Sequence, residues 1–387
     1  WEINGIVVGY GSVLDHTFTS SGTYTTHLSV VDSFGLSSSY VVNITVNKSP
    51  NVSISATKTV LDAGMSDSFN ASVSGGTSPY TYTWTVDDTT YTGQSIAYSF
   101  TSTGTYDIQL VVTDSFGQSA KATITITVNP DPSVTITSSQ NPTDIGNSVT
   151  FTATGSGGTG SYAYQWYMNG SAISGATYST YMTPFSHKGI PAFYAIITDS
   201  YGVKSKSNTI TETVNSDPSV TIHSTKTTID SGQSSQFFSS VSGGTGTYTY
   251  LWVLGANTLS HNTSFTHIFS TPGTYNITLT VKDANGNTAS AYILVTVLQD
   301  PSGIISVKYN SIDAGAEQQF TSSISGGSGS YTYDWLSGTN TIASTSSFSR
   351  AFYSIGSHTV TLEVTDSNGF RITLTVSFNV IPQPSVS

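Results

Sequence analysis

The chain has no cysteine, so no disulfide framework is available to hold it together. Charge is nearly as scarce. Only 9% of its 387 residues are Asp, Glu, Lys or Arg, against about 25% in ordinary soluble domains. The 11 basic residues are outnumbered by 22 acidic ones and form no run, which excludes the electrostatic footprint of a nucleic-acid partner. No stretch has helical period, and no apolar run, amphipathic helix or signal peptide is present. Membrane anchoring is therefore expected only through segments outside this chain. So few ionisable groups imply a folding energy that responds weakly to pH. That would suit an acidic exterior, although Ser/Thr-rich β repeats drift to low charge in any case.

Reactive constellations are also missing. His16, His27, His187, His223, His261, His267 and His358 keep no metal-ligand spacing and share no repeat position. There is no nucleophile elbow, phosphate loop or cysteine nucleophile. The adjacent Asp87 and Asp88 point to opposite faces if extended and are solvated if they lie in a turn. Neither arrangement sets an acid across from a base. The expectation is a chain with no catalytic residues and no cofactor.

What the sequence does contain is repetition. SGGTSPYTYTW at 74–84 returns as SGGTGSYAYQW at 156–166, SGGTGTYTYLW at 242–252 and SGGSGSYTYDW at 325–335. All five tryptophans, Trp1, Trp84, Trp166, Trp252 and Trp335, hold one position of this unit. A unit of ~80 residues exceeds the solenoid repeats that cannot fold alone, so each is expected to be a domain. The boundaries read as 1–48 (partial), 49–129, 130–215, 216–298 and 299–380, with 381–387 opening a further repeat. The array thus reads as an excerpt from a longer one.

Within a unit the apolar period is two: in TYDIQLVVTD, Tyr106, Ile108, Leu110 and Val112 fall on one face. About seven such short runs per unit, divided by Gly, Pro, Asp and Ser, predict an all-β chain of Ig-like sandwiches joined by short linkers, like beads on a string. Trp84, Trp166, Trp252 and Trp335 are the expected core between two sheets. Asp-x-x-Gly before the last strand (Asp32, Asp114, Asp199, Asp283, Asp366) and Asp-x-Gly between the first two strands (Asp62, Asp230, Asp313) both read as turns.

Gly-Thr-Tyr at Gly22, Gly104 and Gly273, followed by an alternating strand and Asp-x-x-Gly, resembles the second half of a polycystic kidney disease (PKD) domain. This is an Ig-like sandwich common on archaeal and bacterial surfaces. The family's Trp-Asp-Phe-Gly-Asp-Gly loop is missing: Trp84 is followed by TVDD, Trp252 by VLGA and Trp335 by LSGT. The third repeat has Gly189, Ile190 and Pro191 in place of Gly-Thr-Tyr, and its YQWYMNGSAISGATYSTY is more similar to bacterial Ig-like modules.

The resemblance implies a non-enzymatic, extracellular, prokaryotic and specifically archaeal surface protein, a structural part of a surface layer, stalk or filament. Its partners would be copies of itself, other surface proteins or glycans. The alternatives are an adhesin or carbohydrate-binding stalk using exposed tyrosines, and a spacer for a domain elsewhere. Seven Asn-x-Ser/Thr sequons, at Asn43, Asn47, Asn51, Asn70, Asn169, Asn262 and Asn276, are candidate glycosylation sites, although composition alone accounts for their number.

Three linkers carry Asp-Pro, and in a seven-strand sandwich the Asp-x-x-Gly turn lies near the linker preceding its own repeat. The expected acid neighbours are Asp131 with Asp199, Asp217 with Asp283, and Asp300 with Asp366. The simpler reading is that each turn Asp caps its own turn; the alternative is a calcium joint, for which two acids are few.

Overall fold

The computed structural model describes residues 1–384, so residues 385–387 of the expected further repeat at 381–387 lie outside the described residues. Every regular element among them is a β-strand. Repeat two shows the plan. A three-stranded sheet, in the order Ser95–Ser99, Ser66–Ser74, Asn51–Ala56, faces a five-stranded one, in the order Val60–Asp62, Ser119–Asn129, Gly104–Thr113, Thr81–Val86, Thr89–Thr92. The alternating pattern puts Phe69 and Ala71 from the first sheet against Trp84, Ile108, Leu110 and Ile126 from the second. Repeats four and five repeat both strand orders around Trp252 and Trp335.

Trp84, Trp166, Trp252 and Trp335 are all at 0% exposure. Each satisfies its one polar atom by donating Nε1–H to a backbone carbonyl, of Gly93, Tyr178, Asn262 and Thr345 respectively. Asp87 and Asp88 both take positive φ, at 51° and 57°, in the tight turn between Thr81–Val86 and Thr89–Thr92, the primed hairpin geometry for which Asp is suited.

The first repeat is a four-stranded sheet, in the order Ile6–Val7, Glu2–Ile3, Gly22–Val31, Ser37–Val46. Trp1 is half-buried on it, its indole N–H donating to Gly11 O at 3.0 Å. The chain as a whole divides into two compact units. Trp1–Ser139, Thr150–Met182 and Pro191–Thr211 form the first; Gln140–Val149, Thr183–Ile190 and the residues from Glu212 on form the second. The division runs through the third repeat. In the first unit, Ser133–Ser138 pairs with residues 151–156, and Ala163–Met168 pairs with Ala192–Thr198, burying Trp166, Phe151 and Phe193. In the second, Thr143–Asp144 runs parallel to Val214–Asn215.

Candidate functional site

The repeated SGGT stretch is the seat of the linker. Both glycines of each pair have positive φ, between 62° and 82°. A Cβ on the first would strike the carbonyl oxygen of Ser49, Asp131, Asp217 or Asp300 in the linker just before that repeat. The second glycine donates its N–H to the linker carbonyl one residue earlier: Gly76 to Lys48 O at 2.6 Å, Gly158 to Pro130 O at 2.7 Å, Gly244 to Ser216 O and Gly327 to Gln299 O at 2.6 Å each. Only glycine combines that φ with so close an approach of two backbones. The tyrosine that follows locks the loop, Tyr80 donating its hydroxyl to Gly75 O at 2.6 Å and Tyr162, Tyr248 and Tyr331 doing likewise.

The Asp-x-x-Gly carboxylates clamp this seat. Asp199 Oδ1 accepts from the N–H groups of Tyr201 and Val203, both at 2.9 Å, and Oδ2 accepts from Thr159 N–H at 3.1 Å. Asp114, Asp283 and Asp366 accept the equivalent three donors. Burial alone would raise these carboxyls, but the backbone donors outweigh it, and Asp114, Asp199 and Asp366 are held below the usual carboxylate range.

At two joints an acid other than the linker aspartate joins the turn. Asp131 and Asp217 are exposed and Asp300 is half-buried; their close contribution to the seat is the backbone carbonyl. Asp199 is instead joined by Asp62, and Asp366 by Asp230, from the Asp-x-Gly of the preceding repeat. Thr159 links the first pair, its N–H on Asp199 and its hydroxyl on Asp62 Oδ1 at 2.8 Å, while Asn129 Nδ2 donates to the same hydroxyl at 3.0 Å. Asp62 is fully buried and its Oδ2 meets no N–H or O–H donor. It lies against the Asp199 carboxylate, an arrangement that favours the protonated form of Asp62. Burial first, then the charges of Asp199 and Asp131, push Asp62 up, against the Thr159 hydroxyl. Asp230 is raised in the same way, by burial and by Asp366 and Asp300, against the nearby Asn368 amide.

The joint between repeats three and four uses the same parts, Thr245 N–H on Asp283 and its hydroxyl on Asp144. Thr245 Oγ1 donates to Asp144 Oδ1 at 2.8 Å, Asn215 Nδ2 donates to Thr245 Oγ1 at 2.7 Å, and Asn285 Nδ2 donates to Asp144 Oδ2 at 2.5 Å. The residues do not fit calcium. Each turn carboxylate at a seat already accepts three N–H donors, and no group of three or more His, Asp or Glu side chains among the described residues is placed to hold a metal ion. All seven sequon asparagines are exposed, Asn47 with its amide on Thr77 Oγ1 at 2.8 Å.

Sequence reasoning missed one further group. Glu212 is fully buried, with neither carboxyl oxygen meeting a donor, and burial pushes it up to about 7. Its register places it where the other complete repeats carry Ile126, Val295 and Phe378.

Sandwiches in series, each seated on the next through a Gly-Gly loop, define a tandem array of Ig-type modules. Residues 47–128 and 219–296 match models described as PKD domain, so the chain is a tandem PKD-like, Ig-like array. Such modules are typical of extracellular proteins and are generally non-catalytic. A 52-residue stretch is 44% identical to "Collagenase ColA" of Bacillus cereus, covering 13% of this chain and only 5% of the collagenase. Among solved structures, three N-terminal domains of the bacteriophage RB49 outer capsid protein Hoc align over 65% of this chain and all of theirs (12% identity, TM-score 0.39). The N-terminal eight Ig domains of Down Syndrome Cell Adhesion Molecule align over 95% and 59% (17%, 0.34). The ICAM-5 D1–D4 ectodomain fragment aligns over 85% and 100% (12%, 0.36). These matches give no support for an archaeal source.

Proposed function

We propose that the chain is a non-enzymatic structural segment of an extracellular assembly, a surface layer, stalk or filament, in which each module supplies length and each joint fixes the next module. The observation that carries this reading is the joint itself. Every linker is seated by two glycine contacts and an aspartate clamp, and the polar groups that recur from repeat to repeat are spent on those seats. A binding protein would be expected to put its repeated chemistry on an open face instead. The test is electron microscopy with sedimentation of the purified chain across a concentration series. Ordered sheets or filaments are expected. Monodisperse monomers that bind one glycan through one repeat would replace this reading with the adhesin.

A further inference from the structure

In repeats one, two, four and five the last two strands form a long hairpin whose outer-face side chains stand opposite one another in one shared register. At one row of that register three of the four repeats carry a hydrogen-bonded pair. Thr125 Oγ1 donates to Asp107 Oδ1 at 2.7 Å in repeat two, and the hydroxyls of Thr359 and Ser377 share a bond of 2.9 Å in repeat five. In repeat one the pair is Thr25 and Asn43, with the threonine hydroxyl on Asn43 Oδ1 at 3.0 Å.

Repeat four breaks the row. Asn276 stands opposite Leu294, and its side-chain amide makes no hydrogen bond among the described residues. One row along, Thr278 stands opposite Tyr292. Leu294 and Tyr292 occupy the places of Thr125 and Thr123 in repeat two and of Ser377 and Thr375 in repeat five. An aliphatic and an aromatic side chain have thus replaced small hydroxyl residues on a face open to solvent, where Leu294 is 51% and Tyr292 68% exposed. A strand presents residues i and i+2 on one face, so Asn276 and Thr278 of Asn-Ile-Thr project together over this patch. A cross-strand diagonal of roughly 7–8 Å puts the Tyr292 ring within reach of a group carried on Asn276. The other sequons lack this setting. Asn43 and Asn47 bond threonine hydroxyls, Asn169 Oδ1 accepts from Ala192 N–H, Asn51 and Asn70 face serines across their sheet, and Asn262 lies in the turn before Ser264–Ile268.

We propose that Asn276 is a glycosylation site whose first sugar, a pyranose linked through Nδ2, lies on Leu294 and Tyr292. Asn-Ile-Thr is the acceptor triplet. The ring C–H groups of a pyranose cover exposed aliphatic and aromatic carbon while its hydroxyls stay in water. In the transfer, Nδ2 forms a bond to the anomeric carbon of a sugar held on a lipid phosphate or pyrophosphate. The bond from that carbon to the phosphate oxygen breaks, the lipid phosphate leaves with the electron pair, and one Nδ2 proton passes to a base of the transferase. The proposal rests on the extracellular reading above, and not on the array being structural.

The test is mass spectrometry of peptides from the intact chain, purified from the cells that naturally make it. A sugar mass is expected on the peptide that holds Asn276, kept in Thr278→Ser and lost in Thr278→Val and Asn276→Gln. The packing is read by melting: Tyr292→Ser should lower the transition of the glycosylated chain by about 2–4 °C more than that of the same chain made without the transferase. Equal shifts in the two forms overturn the sugar's place on Tyr292. A bare Asn276 in a chain occupied at other sequons overturns the proposal alone. A chain bare at all seven overturns it too, and protease treatment of intact cells, which reads exposure of the chain whatever it carries, shows whether the extracellular reading falls with it.

Discussion

Replacing Glu212 by Gln removes the proton requirement from a buried carboxyl without changing its shape. In the folded chain the group titrates near 7, raised from an ordinary value of 4.5 because burial disfavours the charged form. Between those two values the native state holds a proton that the unfolded state has released, so stability falls as pH rises. The contribution is fully present below 4.5 and is lost as pH climbs through 7. At about 1.4 kcal/mol per pH unit the loss is about 3 kcal/mol at most, and solvent screening reduces it toward ~1.5. Scanning calorimetry of the intact chain at pH 4.5, 6 and 7.5 reads the effect as a downward shift of one transition. Glu212→Gln should match wild type at pH 4.5 and exceed it at pH 7.5. A wild-type transition that does not move across this range, or moves equally in the variant, would refute the reasoning.

Two further outcomes are expected. Trp84→Ala empties the centre of the second sandwich, where the side chain is at 0% exposure, and should cost about 3–5 kcal/mol; hydrogen exchange should report loss of protection in residues 49–129 with repeats four and five unchanged. The Asp62–Asp199 joint should be firmest in a window above the lowered Asp199 value, where Asp199 is charged, and below the raised Asp62 value, where Asp62 keeps its proton. Proteolysis of the 129–132 linker should accelerate on the alkaline side of that window in wild type but not in Asp62→Asn, whose amide donates at any pH; identical rates in the two chains would remove the shared proton.

The sandwich and its tryptophan core could be read from the sequence because both rest on local pattern: a period of two, and one large aromatic at one place per repeat. The joints could not, because their chemistry is long-range. Thr159 and Asp62 stand 97 residues apart, and nothing near Asp62 distinguishes a joint acid from a turn-capping one. A signal was nevertheless present. Thr143-Asp144-Ile145-Gly146 is a fourth Asp-x-Gly, so every complete repeat carries Asp where a turn alone would also accept Asn or Ser. Glu212 was legible too, as the charged residue in an alternating Ile210-x-Glu212-x-Val214 run. A low charge count does not by itself fix the pH response, because the response depends on which groups are buried, as Glu212 is, and not only on how many there are.

The third residue of Asp-x-x-Gly decides what each joint requires. Where it is Asn285, its amide supplies the second oxygen of Asp144 with a donor, so both carboxylate oxygens are met inside the seat. Where it is Tyr201, the hydroxyl goes to Val60 O instead, leaving Asp62 Oδ2 without a donor except its own proton. Where it is Asn368, the side-chain amide lies near Asp230 but its nitrogen makes no bond of proper geometry, while the backbone carbonyl of Asn368 is taken by Lys226 Nζ and Gln233 Nε2 at 3.3 Å each. Where it is Phe116, the side chain brings no hydrogen-bonding group and stands exposed. One position, free to vary because the turn needs only the Asp and the Gly, thus decides what each seat is offered: an amide donor, a hydroxyl turned to the strand backbone, or an apolar ring.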